Sequence, residues 1–116
     1  MYEIILYDTE SGECPVKDFI LSQDAKMKAK LLHTIDLLEE FGPELREPHS
    51  KHIDDRIFEL RAKQGSNITR ILYFFIIGQK AVLTNGFVKK AQKTPAKEIK
   101  LAKKYMNDYK RRFGDE

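Results

Sequence analysis

The stretch Thr69-Arg70-Ile71-Leu72-Tyr73-Phe74-Phe75-Ile76-Ile77 constrains this chain more than any other. From Ile71 to Ile77 every residue is apolar or aromatic, so an extended backbone here would carry apolar side chains on both faces. A strand of that kind belongs in the middle of a sheet covered on both sides. Its β-branched and aromatic content favours a strand over a helix segment, and Gly78-Gln79 closes it with a turn signal. Flanking segments Ile57–Lys63 and Lys80–Lys89 read as its partners. Gln64-Gly65-Ser66-Asn67 supplies the first turn and Gly78-Gln79 a two-residue hairpin. The predicted unit is a three-stranded antiparallel meander with Ile68–Ile77 at its centre.

The rest of the chain supplies the covers. Met1 to Tyr7 alternates weakly and reads as an N-terminal strand, followed by a polar turn from Thr9 to Glu13. Pro15 suits a first helical position, predicting a helix over Pro15–Ser22 with Val16, Phe19 and Ile20 inward. Asp24 can cap a second helix whose apolar residues Met27, Leu31, Ile35, Leu38 and Phe41 recur every three or four positions, until Gly42-Pro43 stops it. Glu44 to Asp55 is polar and reads as a loop. Thr94 as cap and Pro95 at the first position open a C-terminal basic helix that ends at Gly114, with Ile99, Ala102, Met106, Tyr109 and Phe113 in one stripe. The expected class is α+β: an N-terminal strand, two helices, the meander and the last helix, in one domain over 1–116.

At 116 residues, with 41% hydrophobic and 34% charged positions, the chain can bury a core and is not of disordered composition. No apolar run approaches the roughly 20 residues of a membrane span, and the first residues read as a strand rather than a signal peptide. A single cysteine, Cys14, fits a reducing cytoplasm. No Cys/His spacing suggests zinc, so neither metal nor cofactor is expected. The net charge of +3 conceals two unlike halves. Residues 1–60 hold 7 Lys and Arg against 14 Asp and Glu, a balance of −7; residues 61–116 hold 14 against 4, a balance of +10. A basic half of this size points to an anionic partner such as nucleic acid, or to a solvated basic helix compensating the acidic half.

Strand pairing sharpens the basic half. With the turns placed as above, Arg61 lies opposite Arg70, Arg70 opposite Phe87, and Ile68 opposite Lys89. Residues directly opposite share a face, as do i and i+2 on one strand, so Arg61, Lys63, Arg70, Phe87 and Lys89 project together. A one-residue slip in either hairpin would break the set. Two opposed arginines repel by about 0.2–1 kcal/mol on a sheet surface. Either a phosphate or a carboxylate between them would reward the arrangement, and Glu59 is at hand for the second. Phe87 is suited to stacking on a base or to packing in the core. Tyr73 belongs to the opposite face. Of the histidines, His33 falls beside the apolar stripe of the second helix, while His49 and His52 precede the strand of Arg61 and can reach its basic face. No Ser or Cys shows the flanking pattern of a nucleophile.

Taken with the order of elements, Glu59-Leu60-Arg61, Thr69-Arg70-Ile71-Leu72-Tyr73-Phe74, Glu98-Ile99 with Ala102, and above all Gly86-Phe87-Val88-Lys89-Lys90-Ala91-Gln92-Lys93-Thr94-Pro95 carry a family resemblance. The chain resembles RelE/ParE-superfamily toxins of type II toxin–antitoxin pairs, closest to the HigB-type, phage-derived branch. The resemblance implies a RelE-like fold and a metal-independent endoribonuclease that cuts messenger RNA on the ribosome. It also implies a cognate HigA-like helix-turn-helix antitoxin, and operator DNA bound only through the toxin–antitoxin complex. On this reading Arg61 and Arg70 hold the scissile phosphate, Lys93 and His52 are candidates for proton transfer, and Lys63, Phe87, Lys89 and Lys90 bind RNA. Some relatives place a His or an acidic residue near the C-terminus; here that segment is a basic helix with Asp108 as its one interior carboxylate. Two other readings stay open: a ParE-like gyrase-targeting toxin, and a non-enzymatic nucleic-acid-binding module.

Overall fold

The computed structural model describes residues 1–89 and 93–115. In chain order the elements are β1 (Glu3–Leu6), α1 (Pro15–Leu21), α2 (Ala25–Phe41), a single 3-10 turn (Gly42–Glu44), β2 (Ser50–Asp54), β3 (Ile57–Gln64), β4 (Asn67–Ile76), β5 (Lys80–Val88) and α3 (Ala96–Phe113). One five-stranded mixed sheet runs β1-β5-β4-β3-β2, with β1 parallel to β5 and the other pairs antiparallel. As expected of its two apolar faces, β4 is central. Ile71 and Tyr73 face a core built with Val16 and Ile20 of α1 and Met27, Leu31 and Leu38 of α2. Leu72, Phe74 and Ile76 face the other way, onto Ala102, Met106 and Tyr109 of α3.

The fifth strand is the main correction to the sequence reading. Ser50–Asp54, expected within a polar loop, pairs with β3 along the sheet edge. Its composition is polar because only Ser50 is buried, where its hydroxyl meets the Tyr73 hydroxyl; Lys51 and His52 are exposed. An edge strand with little to bury carries no apolar periodicity to read.

Both hairpins deliver the expected pairings, by different routes. At the first, Gln64 pairs with Asn67 around Gly65-Ser66, and Arg61 faces Arg70. The second loop has three residues, Ile77-Gly78-Gln79, because Ile76 pairs with Lys80. Gly78 and Gln79 take left-handed φ values of 95° and 59°, which a two-residue reading missed. A register shift between Leu72 and Tyr73 compensates: Leu72 pairs with Asn85 while Tyr73 pairs with Leu83, leaving Thr84 as the extra residue. The bulge restores the expected pairing of Arg70 with Phe87.

Local signals set the helix ends. Pro15 opens α1, and the Asp24 carboxylate accepts from the Met27 amide at 2.8 Å to cap α2. Phe41 and Phe113, expected inward, are 45% and 55% exposed, since each closes a helix where the sheet no longer covers it. Gly86 has a packing role: a Cβ there would lie 2.3 Å from Phe19 Cδ2, so the glycine lets α1 seat its ring against β5. Among the described residues, no helix is long and apolar enough to cross a membrane.

Candidate nucleic-acid interface

Alternation along β3, β4 and β5 sends Glu59, Arg61, Arg70 and Phe87 to the α3 side of the sheet. The arginines are opposed as expected, and a carboxylate stands between them. Glu59, 0% exposed, accepts from Arg70 Nη1 at 2.7 Å on Oε1 and from Arg61 Nε at 2.9 Å on Oε2. The Thr94 hydroxyl also donates to Oε1, at 2.6 Å, and accepts from Arg70 Nη1 at 3.2 Å. Arg70 is only 2% exposed, and its Nε has no hydrogen-bond partner among the described residues. The sequence reading gave Arg61 and Arg70 equal standing as phosphate ligands, whereas the structure divides them. Arg70 lies beneath the surface, where its charge offsets that of Glu59. Arg61, with its side chain 22% exposed, is the one that reaches solvent. Its Nη1 is 3.7 Å from the exposed carboxylate of Glu47.

Thr94 was expected to cap α3. Instead Pro95 occupies the cap position and no side chain caps the helix. Thr94 is 6% exposed, its hydroxyl turned down onto Glu59. The segment leading into α3 is thereby fastened to the middle of the sheet.

Above this network a cleft of about 200 Å³ opens between β2 and the start of α3. Arg61, Arg70, Lys93 and His52, the four residues singled out for catalysis, all contribute to its walls, together with Lys51 and Thr94. Their orientations differ, however. In the β2–β3 register Lys51 faces Glu59 and His52 faces Phe58. Accordingly the His52 ring packs edge-on against Phe58, with centroids 5.0 Å apart, and its Nε2–H donates to the Asp55 carbonyl at 2.5 Å. The His52 ring is therefore packed on the Phe58 side of β3 at the rim of the cleft, and Lys51 takes the register position opposite Glu59. No signal for Lys51 was legible without the strand that carries it. His33 is exposed on α2, and His49 meets β3 through its carbonyl, which accepts from the Arg61 amide.

The RNA-binding candidates also separate. Lys89 extends the set, with its amide bonded to the Ile68 carbonyl at 2.8 Å as the register required. Partial burial, followed by the neighbouring charges of Arg70 and Arg61, pushes its ammonium below the ordinary lysine range; Lys51 acts in the same direction and Glu59 against it. Phe87 is partly buried against the α3-side core, so it packs rather than offering a free stacking face. Lys63 is exposed near the β3–β4 turn. Lys90 lies outside the described residues. Among those described, no group of three or more His, Cys, Asp and Glu side chains is placed to hold a metal ion.

Two further contacts shape the surroundings. Lys103 Nζ binds Asp54 Oδ2 at 2.8 Å, tying α3 to the end of β2 beside the cleft. Asp108, towards the C-terminal end of the last helix, accepts from the Tyr7 hydroxyl at 2.6 Å and pairs with Arg111 and Arg112. It is a clasp between α3 and the end of β1, well apart from the cleft.

A search of curated proteins returned no match to this chain. The family model described as phage-derived protein Gp49-like (DUF891) matches residues 18–107, well over half of the chain and the whole span from α1 into α3 that builds the cleft. The chain thus belongs to the phage-derived Gp49-like family, a RelE/HigB-like toxin family.

Proposed function

We propose that this protein is the toxin of a type II toxin–antitoxin pair, an endoribonuclease that cuts messenger RNA on the ribosome and needs no metal. One observation carries the reading: Lys51, Arg61, Arg70 and Lys93 converge on a single small cleft, while both oxygens of the one buried carboxylate beneath it are already taken. The cationic excess at the mouth suits a phosphodiester.

In the proposed reaction the 2′-hydroxyl of RNA attacks its own phosphorus. The new 2′-O–P bond forms as the P–O5′ bond breaks, giving a 2′,3′-cyclic phosphate and a 5′-hydroxyl. One proton leaves the 2′-oxygen and one reaches the departing 5′-oxygen. Arg61, which reaches solvent, stabilises the charge that gathers on the phosphate, commonly the largest contribution to such catalysis. Lys89 is the first choice for proton transfer, because its register opposite Ile68 puts it on the face of Arg61 and Arg70, and partial burial with their charges holds its ammonium below the ordinary lysine range. Lys51 and Lys93 hold flanking phosphates. The proposed partner is a helix-turn-helix, HigA-like antitoxin that covers this cleft, and the pair together binds operator DNA.

The decisive experiment is brief induction of the wild type and of Arg61→Ala, with primer extension on a translated reporter transcript. The wild type should give discrete cuts in translated RNA, and Arg61→Ala should give none while remaining folded. DNA breaks and an SOS response without RNA cuts would replace this reading with gyrase poisoning. Salt-sensitive RNA binding without cleavage, with or without ribosomes, would reduce the protein to a binding module.

A further inference from the structure

We infer that Glu59 is the positioning residue of the cleft: one buried carboxylate that fixes the spacing between Arg61 on β3 and the Lys93-Thr94 segment before α3. The inference rests on the nuclease reading and deepens it. Glu59 cannot touch RNA itself, being 0% exposed. What it can do is hold two cationic elements in register. Through Oε2 it takes the Nε–H of Arg61, which fixes the guanidinium plane, with Nη1 lying 3.7 Å from the exposed carboxylate of Glu47. Through Oε1 it takes the Thr94 hydroxyl, so the backbone that carries Lys93 is anchored 35 residues away in sequence by the same group. Arg70 completes the device from below, its Nη1 on Oε1 at 2.7 Å compensating the buried charge.

Two features argue that this is more than fold maintenance. Thr94 directly precedes the cap residue Pro95, yet α3 is left without a side-chain cap and the Thr94 hydroxyl goes to Glu59 instead. Furthermore, the network joins β3, β4 and the approach to α3 at the floor of the cleft, where Arg61, Arg70, Thr94 and Lys93 all meet its walls. A long cationic side chain left unheld at a surface samples many rotamers, and a misplacement of about 1 Å at a reacting group can cost on the order of 100-fold in rate.

Thr94→Val tests this without unpairing the buried charges, and Thr94→Ser is its control. In cleavage of a translated RNA, Thr94→Val should lower kcat at least about tenfold with KM within about twofold, because the outer lysines still bind. Thr94→Ser should recover wild-type kcat. Glu59→Gln should show the same loss of kcat, with its fold checked by circular dichroism; where it does not fold, the Thr94 pair decides alone. A folded Thr94→Val with unchanged kcat, or a Thr94→Ser as impaired as Thr94→Val, overturns the inference. If the wild type does not cleave at all, the nuclease reading falls separately and the positioning claim is read by NMR. The Lys93 amide should then be as ordered as the sheet in the wild type and gain fast motion in Thr94→Val, read by 15N relaxation, because the hydroxyl that anchors this segment to Glu59 is gone. Equal order in both proteins overturns it.

Discussion

Replacing Arg70 by Met should destabilise the fold far more than it alters any direct contact with substrate. Arg70 is 2% exposed and Glu59 0%, and their 2.7 Å pair lies between the sheet and α3. Removing the guanidinium leaves Glu59 with Arg61 Nε and the Thr94 hydroxyl but without its buried counter-charge. Breaking such a pair from one side costs about 3–5 kcal/mol, because the surviving charge stays desolvated. Against a total stability of about 5–15 kcal/mol for a domain of this kind, that is a large share. Replacing both members, Arg70→Met with Glu59→Met, removes the orphaned charge. It leaves only the Thr94 hydroxyl short of a partner, at about 1–3 kcal/mol, while Arg61 is free to turn towards solvent and Glu47. The double variant should therefore be more stable than the sum of the single losses, with a coupling of about 2–3 kcal/mol. Urea unfolding of the four proteins, followed by circular dichroism and by tyrosine emission in this Trp-free chain, measures it. A loss below about 1 kcal/mol in Arg70→Met, or strictly additive losses in the double variant, would refute the assignment of Arg70 as the buried counter-charge. The functional consequence is that lost toxicity in an Arg70 variant reports on folding before it reports on phosphate contact.

Three other outcomes follow from the same structure. Lys51→Ala should weaken binding of single-stranded RNA and reduce the slope of log affinity against log salt by about 0.7, the share of one phosphate contact; His52→Ala, whose ring is packed against Phe58, should leave that slope unchanged in the same titration. Burial pushes the Tyr73 phenol up to about 12. A proton held in the folded state and lost in the unfolded state gives stability that is complete below about pH 10 and falls as pH rises through 12, by roughly 3 kcal/mol in all. Tyr73→Phe should flatten this alkaline decline in urea midpoints taken between those two pH values, and an unchanged slope would contradict the burial assigned to Tyr73. Gly86→Ala should place a methyl against the Phe19 ring and cost about 1–3 kcal/mol, visible as a lowered Tm, unless α1 shifts freely on β5.

Much of the fold was legible in the chain because its signals are local. Seven apolar residues in succession made β4 a doubly covered strand, Asp24 capped α2, Pro15 opened α1, and the pairing of Arg61 with Arg70 followed from a short turn. Where the sequence reading went astray, a longer-range effect was at work. Strand β2 is held to the sheet by pairing with β3 and by Ser50 against Tyr73, not by any pattern of its own. Without that strand the chain offers no cue to Lys51, since the face a side chain takes depends on the register of a strand. The second hairpin was misread by one residue, and the bulge at Thr84 returned the register in time for Arg70 to meet Phe87.

The inventory is already complete in the order of the residues: a basic second half, two arginines one turn apart across a hairpin, and a Gly86–Pro95 segment that carries the family resemblance. Their environments come from packing. Arg61 and Arg70 have the same side chain and neighbouring positions, yet one lies buried beneath the cleft and the other reaches solvent. Glu59 and Thr94, 35 residues apart, become one hydrogen-bonded unit only when α3 docks on the sheet. Burial and counter-charge are properties of packing across distant segments. They convert a symmetrical pair of cations into a buried counter-charge and a cation that reaches solvent, which no spacing along the chain can encode.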